Sequence, residues 1–432
     1  MNSFALLESR PFRDSRPPHP QLITRQIYFW LVLLMPISFM LKIAFNLHHF
    51  HWVDPALILS VIAWITLGLP FRPYGFAVFL LLGIFSGILG GVMYPPMHTY
   101  DIFREPGRLF MNLTLFWISV ILFRRNAKYV VNLFAVSVLL QFGLGIWLWL
   151  ISFGVINVNS PIESYERKYR FKQTIWIHGI AIPRMGGTFF ESPPFGLFML
   201  CGLVIFALSF WFGINRSLLV KFAGLAAFLG LVFSTSSQDL LGFCAIAFLL
   251  PFHFLRRRRG LSSLFSMVLA ASVIVALSST LIYKLSQLTT NRDFVKGESG
   301  GERFFHLRYV FHILYIHPWA IPFGIGPGRY GDYVAQTGIF ARTTVPGVTF
   351  VAILAGYGVL GLIAFVWLFL RLGRAARRNF GYFGMVSLIG IFLADSFQAN
   401  WKWEVFFFTL AFLYAVQPPQ LLQPSRNETA SA

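Results

Sequence analysis

Twelve apolar runs, each close to the length of a membrane-spanning helix, constrain the fold of this 432-residue chain more than any other feature. A spanning helix needs roughly 20 mainly apolar residues, because backbone amides in hydrocarbon must be hydrogen-bonded within the segment. The runs lie at residues 27–45, 55–70, 74–94, 108–123, 129–155, 194–214, 217–233, 238–255, 261–283, 345–370, 379–393 and 400–417. They predict an all-α polytopic membrane protein with about 12 transmembrane helices.

The composition excludes the usual soluble classes. Only 12% of the residues are charged and 56% are hydrophobic, whereas soluble domains carry about 25% charged residues. The net charge of +19 is typical of nucleic-acid binding only where a chain has a soluble polar face, so we expect no nucleic-acid partner. Cys201 and Cys244 both lie in apolar runs and form no disulfide or metal-binding pattern.

Lys and Arg in the short loops predict the orientation, because these residues resist translocation. With both termini in the cytoplasm, nineteen basic residues fall on the cytoplasmic side, including the run from Arg256 to Arg259. The chain then divides into a cytoplasmic tail at 1–26, a single transmembrane domain at 27–418 and a second cytoplasmic tail at 419–432. No cleavable signal peptide is expected, since 26 mostly polar residues precede the first run.

Two outer segments, 156–193 and 284–344, are too long for their Lys and Arg residues to indicate orientation. Together these segments hold twelve basic and seven acidic residues. A basic, outward-facing surface suits an anionic ligand such as a phosphate or diphosphate. The alternatives are a solvated loop surface or binding to lipid headgroups.

The second outer segment predicts an amphipathic helix that ends before Pro318. Its apolar residues recur at helical spacing, at Phe304, Leu307, Phe311, Leu314 and Tyr315. Two basic pairs each share a helix face because their members are three or four residues apart; they are Arg303 with His306 and Arg308 with His312. The arginines could bind a diphosphate and the histidines could accept a proton, although a histidine on a half-buried helix is more often a packing residue.

Three glycines, Gly324, Gly326 and Gly328, predict a tight turn after this helix. No strand precedes the turn, so it is not a nucleotide-binding motif.

The first outer segment ends in the sequence IPRMGGTFFESPPFGLFML, at residues 182–200, which leads directly into the sixth span. Arg184 and Glu191 lie at the membrane edge there. They could form an ion pair that anchors the loop, or they could present a hydrogen-bond donor and a carboxylate base to a ligand. Asp239, Asp395 and Glu404 fall at outer ends of spans, which argues against a charged relay through the bilayer centre.

Three stretches make the chain resemble the O-antigen ligase and polymerase-like integral membrane glycosyltransferases of bacteria, over roughly residues 184–370. The first follows an R-x-x-G-x-F-x-E-P/S pattern at Arg184, Gly187, Phe189, Glu191, Ser192 and Pro193. The second follows a G-x-R helix and a P-x-x-G-x-G-x-G turn at Gly301, Arg303, Pro318, Gly324, Gly326 and Gly328. The third is a G-x-x-G-L step at Gly358, Gly361 and Leu362. The stretch from Ser234 to Phe243 loosely resembles a further recurring segment, without the arginine often found there.

The resemblance implies transfer of a glycan from undecaprenyl diphosphate at the periplasmic face of the bacterial inner membrane, within a large periplasmic loop containing amphipathic helices. It implies that Arg184 and Arg303, with Arg308 as a third arginine, bind the diphosphate. Membrane lipids and other polysaccharide-assembly proteins are further expected partners, and no cofactor or metal is expected.

One departure from the family pattern bears on the reaction. Ligases usually carry a histidine and an asparagine about ten residues before the G-x-x-G step, where this chain has Gly347 and Val348. This favours a polymerase of O-antigen or exopolysaccharide repeat units, with His306, His312 or Glu191 as the base. A ligase that transfers glycan to lipid A core is the first alternative. A transporter of an anionic or glycan-lipid substrate is the second, although the chain shows no convincing internal repeat.

Overall fold

The computed structural model describes residues 26, 30, 32, 55–66, 76–93, 101–155, 174–177, 180–189, 192–257, 299–336, 348–396 and 404–417. These residues are almost entirely helical, which confirms the helical class of the prediction. The exception is a two-stranded antiparallel hairpin within the outer segment 156–193, which the sequence patterns did not predict.

The described elements are given in chain order. The helices are α1 (Pro55–Thr66), α2 (Phe76–Met93), α3 (Asp101–Ser152), α4 (Ser192–Trp211), α5 (Leu218–Ser234), α6 (Ser237–Arg257), α7 (Ser299–Ile316), α8 (Ala320–Phe323), α9 (Tyr330–Gln336), α10 (Thr349–Ser396) and α11 (Glu404–Ala415). The strands are β1 (Thr174–Ile177) and β2 (Ile180–Pro183), and a 3-10 turn at Gly187–Phe189 precedes α4.

Two long helices are folded back on themselves at residues with non-helical backbone angles. In α3 the break is Asn126 (φ −153°, ψ 72°). Phe123 and Phe134 lie on either side of it, and their ring centroids are 5.1 and 4.8 Å from that of Phe408. A continuous helix would separate positions eleven residues apart by about 16 Å, so the two halves must fold back at Asn126.

In α10 the breaks are Gly358 (φ 66°, ψ −165°) and Gly381 (φ 62°, ψ −141°). Thr349 and Asp395, near the two ends of α10, are in hydrogen-bond contact. The helix therefore also returns on itself, and it brings its first and last turns to the same end of the bundle.

Helical segments lie at ten of the twelve predicted spans. The ninth, 261–283, lies outside the described residues, and the first is described only at Gln26, Trp30 and Val32. Within the described part, three helical stretches are long and apolar enough to cross a membrane: Glu105–Ser152, Pro193–Trp211 and Thr349–Ser396. Shorter apolar helices lie at Val78–Met93, Leu218–Ser234, Ser237–Leu250 and Glu404–Ala415. The apolar helices indicate an integral membrane protein, while the number of spans and their orientation stay predictions.

The core is built around α4, whose apolar stretch is the most deeply buried of the three. It contacts α3, α5, α6, α10 and α11, and Phe198 and Phe206 pack against Phe134 of α3. Because α4 follows the hairpin directly, the residues between β2 and α4 are held against the ends of the central helices.

The helix expected in the second outer segment is present as α7, and it ends at Ile316, before Pro318 as predicted. The prediction of which residues form its buried apolar face is only partly correct. Leu314 is buried, but Phe311 and Tyr315 are exposed, and the buried face is formed by His306, Tyr309, Val310, Ile313 and Leu314. The apolar residues of α7 thus lie on two faces, and only one face packs against the protein.

Candidate active site

Arg184 follows β2 and binds the carboxyl-terminal end of α5. Its Nε donates to the Ser234 carbonyl at 3.3 Å and to the Thr235 hydroxyl at 3.1 Å, and its Nη2 donates to the Thr235 carbonyl at 2.9 Å. The backbone N–H of Met185 donates to the Phe233 carbonyl at 3.1 Å. The last carbonyls of a helix lack intrahelical donors and carry partial negative charge, so a guanidinium group is a favourable partner there.

The turn between α5 and α6 is closed by its own side chains. Thr235 has φ of 48°, and its N–H donates to the Val232 carbonyl. The Ser234 hydroxyl donates to the Leu231 carbonyl at 2.7 Å and accepts the Ser236 N–H at 3.2 Å. A positive φ is unusual for a β-branched residue, which indicates that surrounding contacts enforce this turn.

Asp239 lies in the first turn of α6 and is fully buried. Gly196 of α4 makes room for it, since a Cβ at position 196 would contact Asp239 Oδ2 and would lie 2.9 Å from the Ser234 hydroxyl. Partial burial lowers the pKa of the Arg184 guanidinium, and the negative charge of Asp239 opposes that change. Arginine still remains a cation at any relevant pH.

The two ends of α10 bring a second buried carboxylate to the same region. The Thr349 hydroxyl lies 2.9 Å from the Asp395 carbonyl and 3.2 Å from Asp395 Oδ2. Asp395 is fully buried and interacts electrostatically with Asp239. We name Arg184, the Ser234–Ser236 turn, Asp239 and Asp395 with Thr349 the helix-end cluster.

A second group of polar residues joins α7 to α9. His306 is buried, and its Nδ1 lies 2.7 Å from the Tyr330 hydroxyl. His317, just after α7, forms a similar contact of 2.8 Å between Nε2 and the Tyr333 hydroxyl. Burial raises the pKa of Tyr330, so this phenol is neutral and can donate to the imidazole. By contrast, Arg308 and His312 are exposed on the opposite face of α7.

The glycine turn, Gly324–Gly328, packs against the broken part of α10. Ile325 N–H donates to the Ala355 carbonyl at 2.8 Å, and a Cβ at Gly324 would lie 2.5 Å from the Gly356 carbonyl carbon. Ser86 of α2 donates to the Gly356 carbonyl at 2.6 Å. The glycines permit backbone to approach backbone here, and within the described residues the turn is a packing element. We name α7, α9 and this turn the glycine-turn layer.

The helix-end cluster and the glycine-turn layer both contact the first turns of α10. Thr349 contacts Asp395 in the helix-end cluster, and Ala355 contacts Ile325 in the glycine-turn layer. These positions are separated by about 9 Å along a helix. The sequence reasoning missed this connection, because no spacing rule relates residue 395 to residue 349.

Other predicted residues are less fully described. Glu191 lies outside the described residues, so its predicted pairing with Arg184 stays a prediction. Arg303 belongs to α7, but its side chain is not described.

The sequence reasoning named Asp239 only as an acid at a span end, although it follows the helix-start serines Ser236 and Ser237. It did not single out Arg329, which is buried and directly follows the last glycine of the turn. Within the described ranges, no three His, Cys, Asp or Glu side chains are grouped as a metal ion would require.

Residues 222–366 match the family described as O-antigen ligase. We refer to these residues, by the name of the matched family, as the O-antigen ligase domain. The match confirms the resemblance to the O-antigen ligase and polymerase-like family, and it indicates a membrane glycosyltransferase of ligase or polymerase type. No curated protein is a significant match to the chain.

The O-antigen ligase domain includes most of α5, all of α6 to α9 and the first turns of α10. Arg184 precedes the matched residues, and its hydrogen bonds to Ser234 and Thr235 attach it to them. Asp395 follows the matched residues and is joined to them through Thr349. The helix-end cluster is therefore assembled from the domain and from the segments on both sides of it.

Proposed function

We propose that this protein is a polymerase of O-antigen or exopolysaccharide repeat units that uses an undecaprenyl-diphosphate-linked donor at the periplasmic face of the inner membrane. The observation that carries the proposal is the attachment of Arg184 to the O-antigen ligase domain by three hydrogen bonds of 2.9–3.3 Å. A hydroxyl of the acceptor glycan attacks the anomeric carbon of the donor, the bond from that carbon to the phosphate oxygen breaks, and undecaprenyl diphosphate leaves.

Arg184 is suited to stabilise the leaving diphosphate because its orientation is already set by the helix end. Its Nε and Nη2 donate to that end, while within the described part of the chain Nη1 makes no hydrogen bond. The side chain is partly exposed, so a ligand can reach it. A pre-oriented guanidinium group loses little entropy on binding an anion and stabilises charge that develops as the bond breaks.

The candidates for the base differ in their surroundings. His306 is buried with one ring nitrogen against Tyr330, so its packing role is the better supported one. His312 is exposed and shares a helix face with Arg308, four residues earlier. We therefore favour His312 over His306 as the group that accepts the hydroxyl proton, with Glu191 as the alternative. Arg303 and Arg308 complete the proposed diphosphate-binding set.

A ligase is the second candidate, and the description of the matched family favours it. Against it stands Val348, next to Gly347, at the positions where ligases usually carry their histidine and asparagine. Valine and glycine side chains cannot accept a proton, so a ligase mechanism would need its base elsewhere.

The test of the diphosphate assignment uses purified protein in proteoliposomes with an undecaprenyl-diphosphate oligosaccharide. We expect Arg184→Lys and Arg303→Ala to lower the rate of glycan transfer by about 100-fold or more, the usual cost of losing a donor to developing charge. Arg216→Ala is the control, because Arg216 is exposed and donates only to the Phe210 carbonyl among the described residues. Transfer at the wild-type rate by both folded variants would overturn the assignment.

Product analysis separates the candidate functions. A polymerase lengthens the lipid-linked glycan, so its deletion in cells leaves lipid A core capped by a single repeat unit. A ligase deletion leaves lipid A core unmodified. A protein that moves the lipid-linked glycan across liposomes without forming any new glycosidic bond would be a transporter, and the proposal would be wrong.

A further inference from the structure

The outward face of α7 carries a row of aromatic and apolar side chains that the site does not use. Phe311 is 57% exposed, Tyr315 is 84% exposed and Ile316 is 49% exposed. With Arg308 and His312 they recur at helical spacing and form one face. The opposite face is occupied by packing, since Val310, Ile313 and Leu314 are buried.

This face is unusual because α7 is not among the helices long and apolar enough to span a membrane. It carries Glu302, Arg303 and Arg308 along its length. Exposed apolar side chains are expected on a spanning helix, where lipid covers them. On a polar helix outside the spans, a contiguous exposed apolar face indicates a surface that binds either another protein or the membrane.

The chain after α7 joins this face to an apolar surface of the bundle. Ile321 is 44% exposed, and the ring of Phe323 contacts that of Phe85 in α2 at 4.9 Å. Phe85 is itself half exposed, in a row of outward apolar side chains on α2: Val78, Leu81, Phe85, Ile88 and Val92. Since α2 is an apolar helix of a membrane protein, we expect that row to face lipid, and α8 connects the end of α7 to it.

We propose that α7 lies in the outer interface of the bilayer, with Phe311, Tyr315 and Ile316 inserted among the lipids. Helices with one apolar face and a polar face bury the apolar side by about 5–10 Å at the boundary between headgroups and acyl chains. A tyrosine suits this depth because its ring is apolar and its hydroxyl reaches water. This proposal is independent of the glycan-transfer reaction.

Site-directed spin labelling of the full-length protein in phosphatidylethanolamine and phosphatidylglycerol vesicles tests the proposal. Both native cysteines, Cys201 and Cys244, are buried and can be replaced by alanine. A nitroxide is then attached through Phe311→Cys or Tyr315→Cys. Collision with oxygen reports lipid, and collision with a water-soluble nickel chelate reports solvent.

Two reference positions calibrate the measurement. Leu225→Cys places the label on the outward side of the apolar helix α5, where Leu225 is 55% exposed. Arg216→Cys places it in the exposed turn before α5. We expect the ratio of oxygen to nickel accessibility at positions 311 and 315 to exceed that at position 216 several-fold and to lie below that at position 225, because the interface is shallower than the middle of a span.

Each other outcome overturns the proposal. A ratio like that of position 216 would mean that water covers the face. Labels that neither reagent reaches would mean that protein covers it, either a second copy of the chain or a partner. Size-exclusion chromatography selects the folded variants, and either labelled position is sufficient if the other variant does not fold.

Discussion

The helix-end cluster and the glycine-turn layer both include residues of the family motifs, yet they use their polar residues in opposite ways. In the helix-end cluster, Arg184 is partly exposed and makes hydrogen bonds through only part of its guanidinium group within the described chain. In the glycine-turn layer, His306 is buried against Tyr330, and the turn packs backbone on backbone. The comparison shows that a motif can leave a charged side chain partly exposed in one place and serve as a packing device in another.

Arg184 and His306 differ in the kind of group to which each is hydrogen-bonded. Arg184 binds helix-end carbonyls, which leave a cation charged and fix its direction. His306 binds a phenol inside a packed interface, where removal of either group leaves a buried polar atom. We therefore expect changes in the glycine-turn layer to affect folding first, and changes around Arg184 to affect glycan transfer first.

The largest expected effect on stability is at Gly358. Its backbone (φ 66°, ψ −165°) lies in a region open almost only to glycine, and a Cβ would lie 2.5 Å from the Phe323 nitrogen. Gly358→Ala should destabilise the protein by about 3–6 kcal/mol, from backbone strain and overpacking together. The matched control is Gly143→Ala, because no atom lies within 4 Å of a Cβ at position 143. Unfolding in mixed micelles measures both, and equal stabilities would show that the end of α8 does not pack closely against the break in α10.

A smaller effect is expected at the two histidines of α7, and it separates their roles. His306→Ala removes a buried ring and leaves the Tyr330 hydroxyl without this partner, at a cost of about 2–4 kcal/mol. His312→Ala, at an exposed position, should change stability by less than about 0.5 kcal/mol. If His312 is the base, His312→Ala should still lose glycan transfer. A stable His306→Ala variant with no transfer would instead assign the chemistry to His306.

The smallest effect is expected in the turn between α5 and α6, with the opposite sign. Thr235 is the one non-glycine residue with positive φ within the described ranges. Asparagine tolerates this conformation better, so Thr235→Asn should raise the free energy of unfolding by about 0.5–1 kcal/mol. Thr235→Val keeps the branched side chain but loses the hydroxyl that accepts from Arg184, and it should be destabilising. A destabilised Thr235→Asn variant would mean that the hydroxyl contributes more than the strain costs.

Much of the fold follows from local pattern. The break in α3 at Asn126 falls between the two spans predicted at 108–123 and 129–155, because Arg124, Arg125 and Lys128 interrupt the apolar run there. The end of α7 follows from Pro318. The buried face of α7 could not be read correctly, because both of its faces carry apolar residues and periodicity alone does not say which face meets protein.

The residues of the candidate site were predictable in part, and their roles were not. Arg184 is visible in its motif, and the structure shows it hydrogen-bonded to the carbonyls of Ser234 and Thr235. The anchoring ion pair with Glu191 stays a prediction, because Glu191 lies outside the described residues. Asp239 and Asp395 were recognised as acids at outer span ends, but their approach to each other and to Arg184 was not.

By itself, the sequence determined the helical membrane class, the resemblance to the O-antigen ligase and polymerase-like family and the positions where most helices begin and end, because these depend on apolar length, charge and motifs within short stretches. Only the tertiary structure decided that residues 184, 235 and 239 share one helix end, that 349 meets 395, and that the glycine turn fits the break at Gly358. Those contacts join residues far apart in the chain, and they arise from how helices pack and fold back, which no local pattern records.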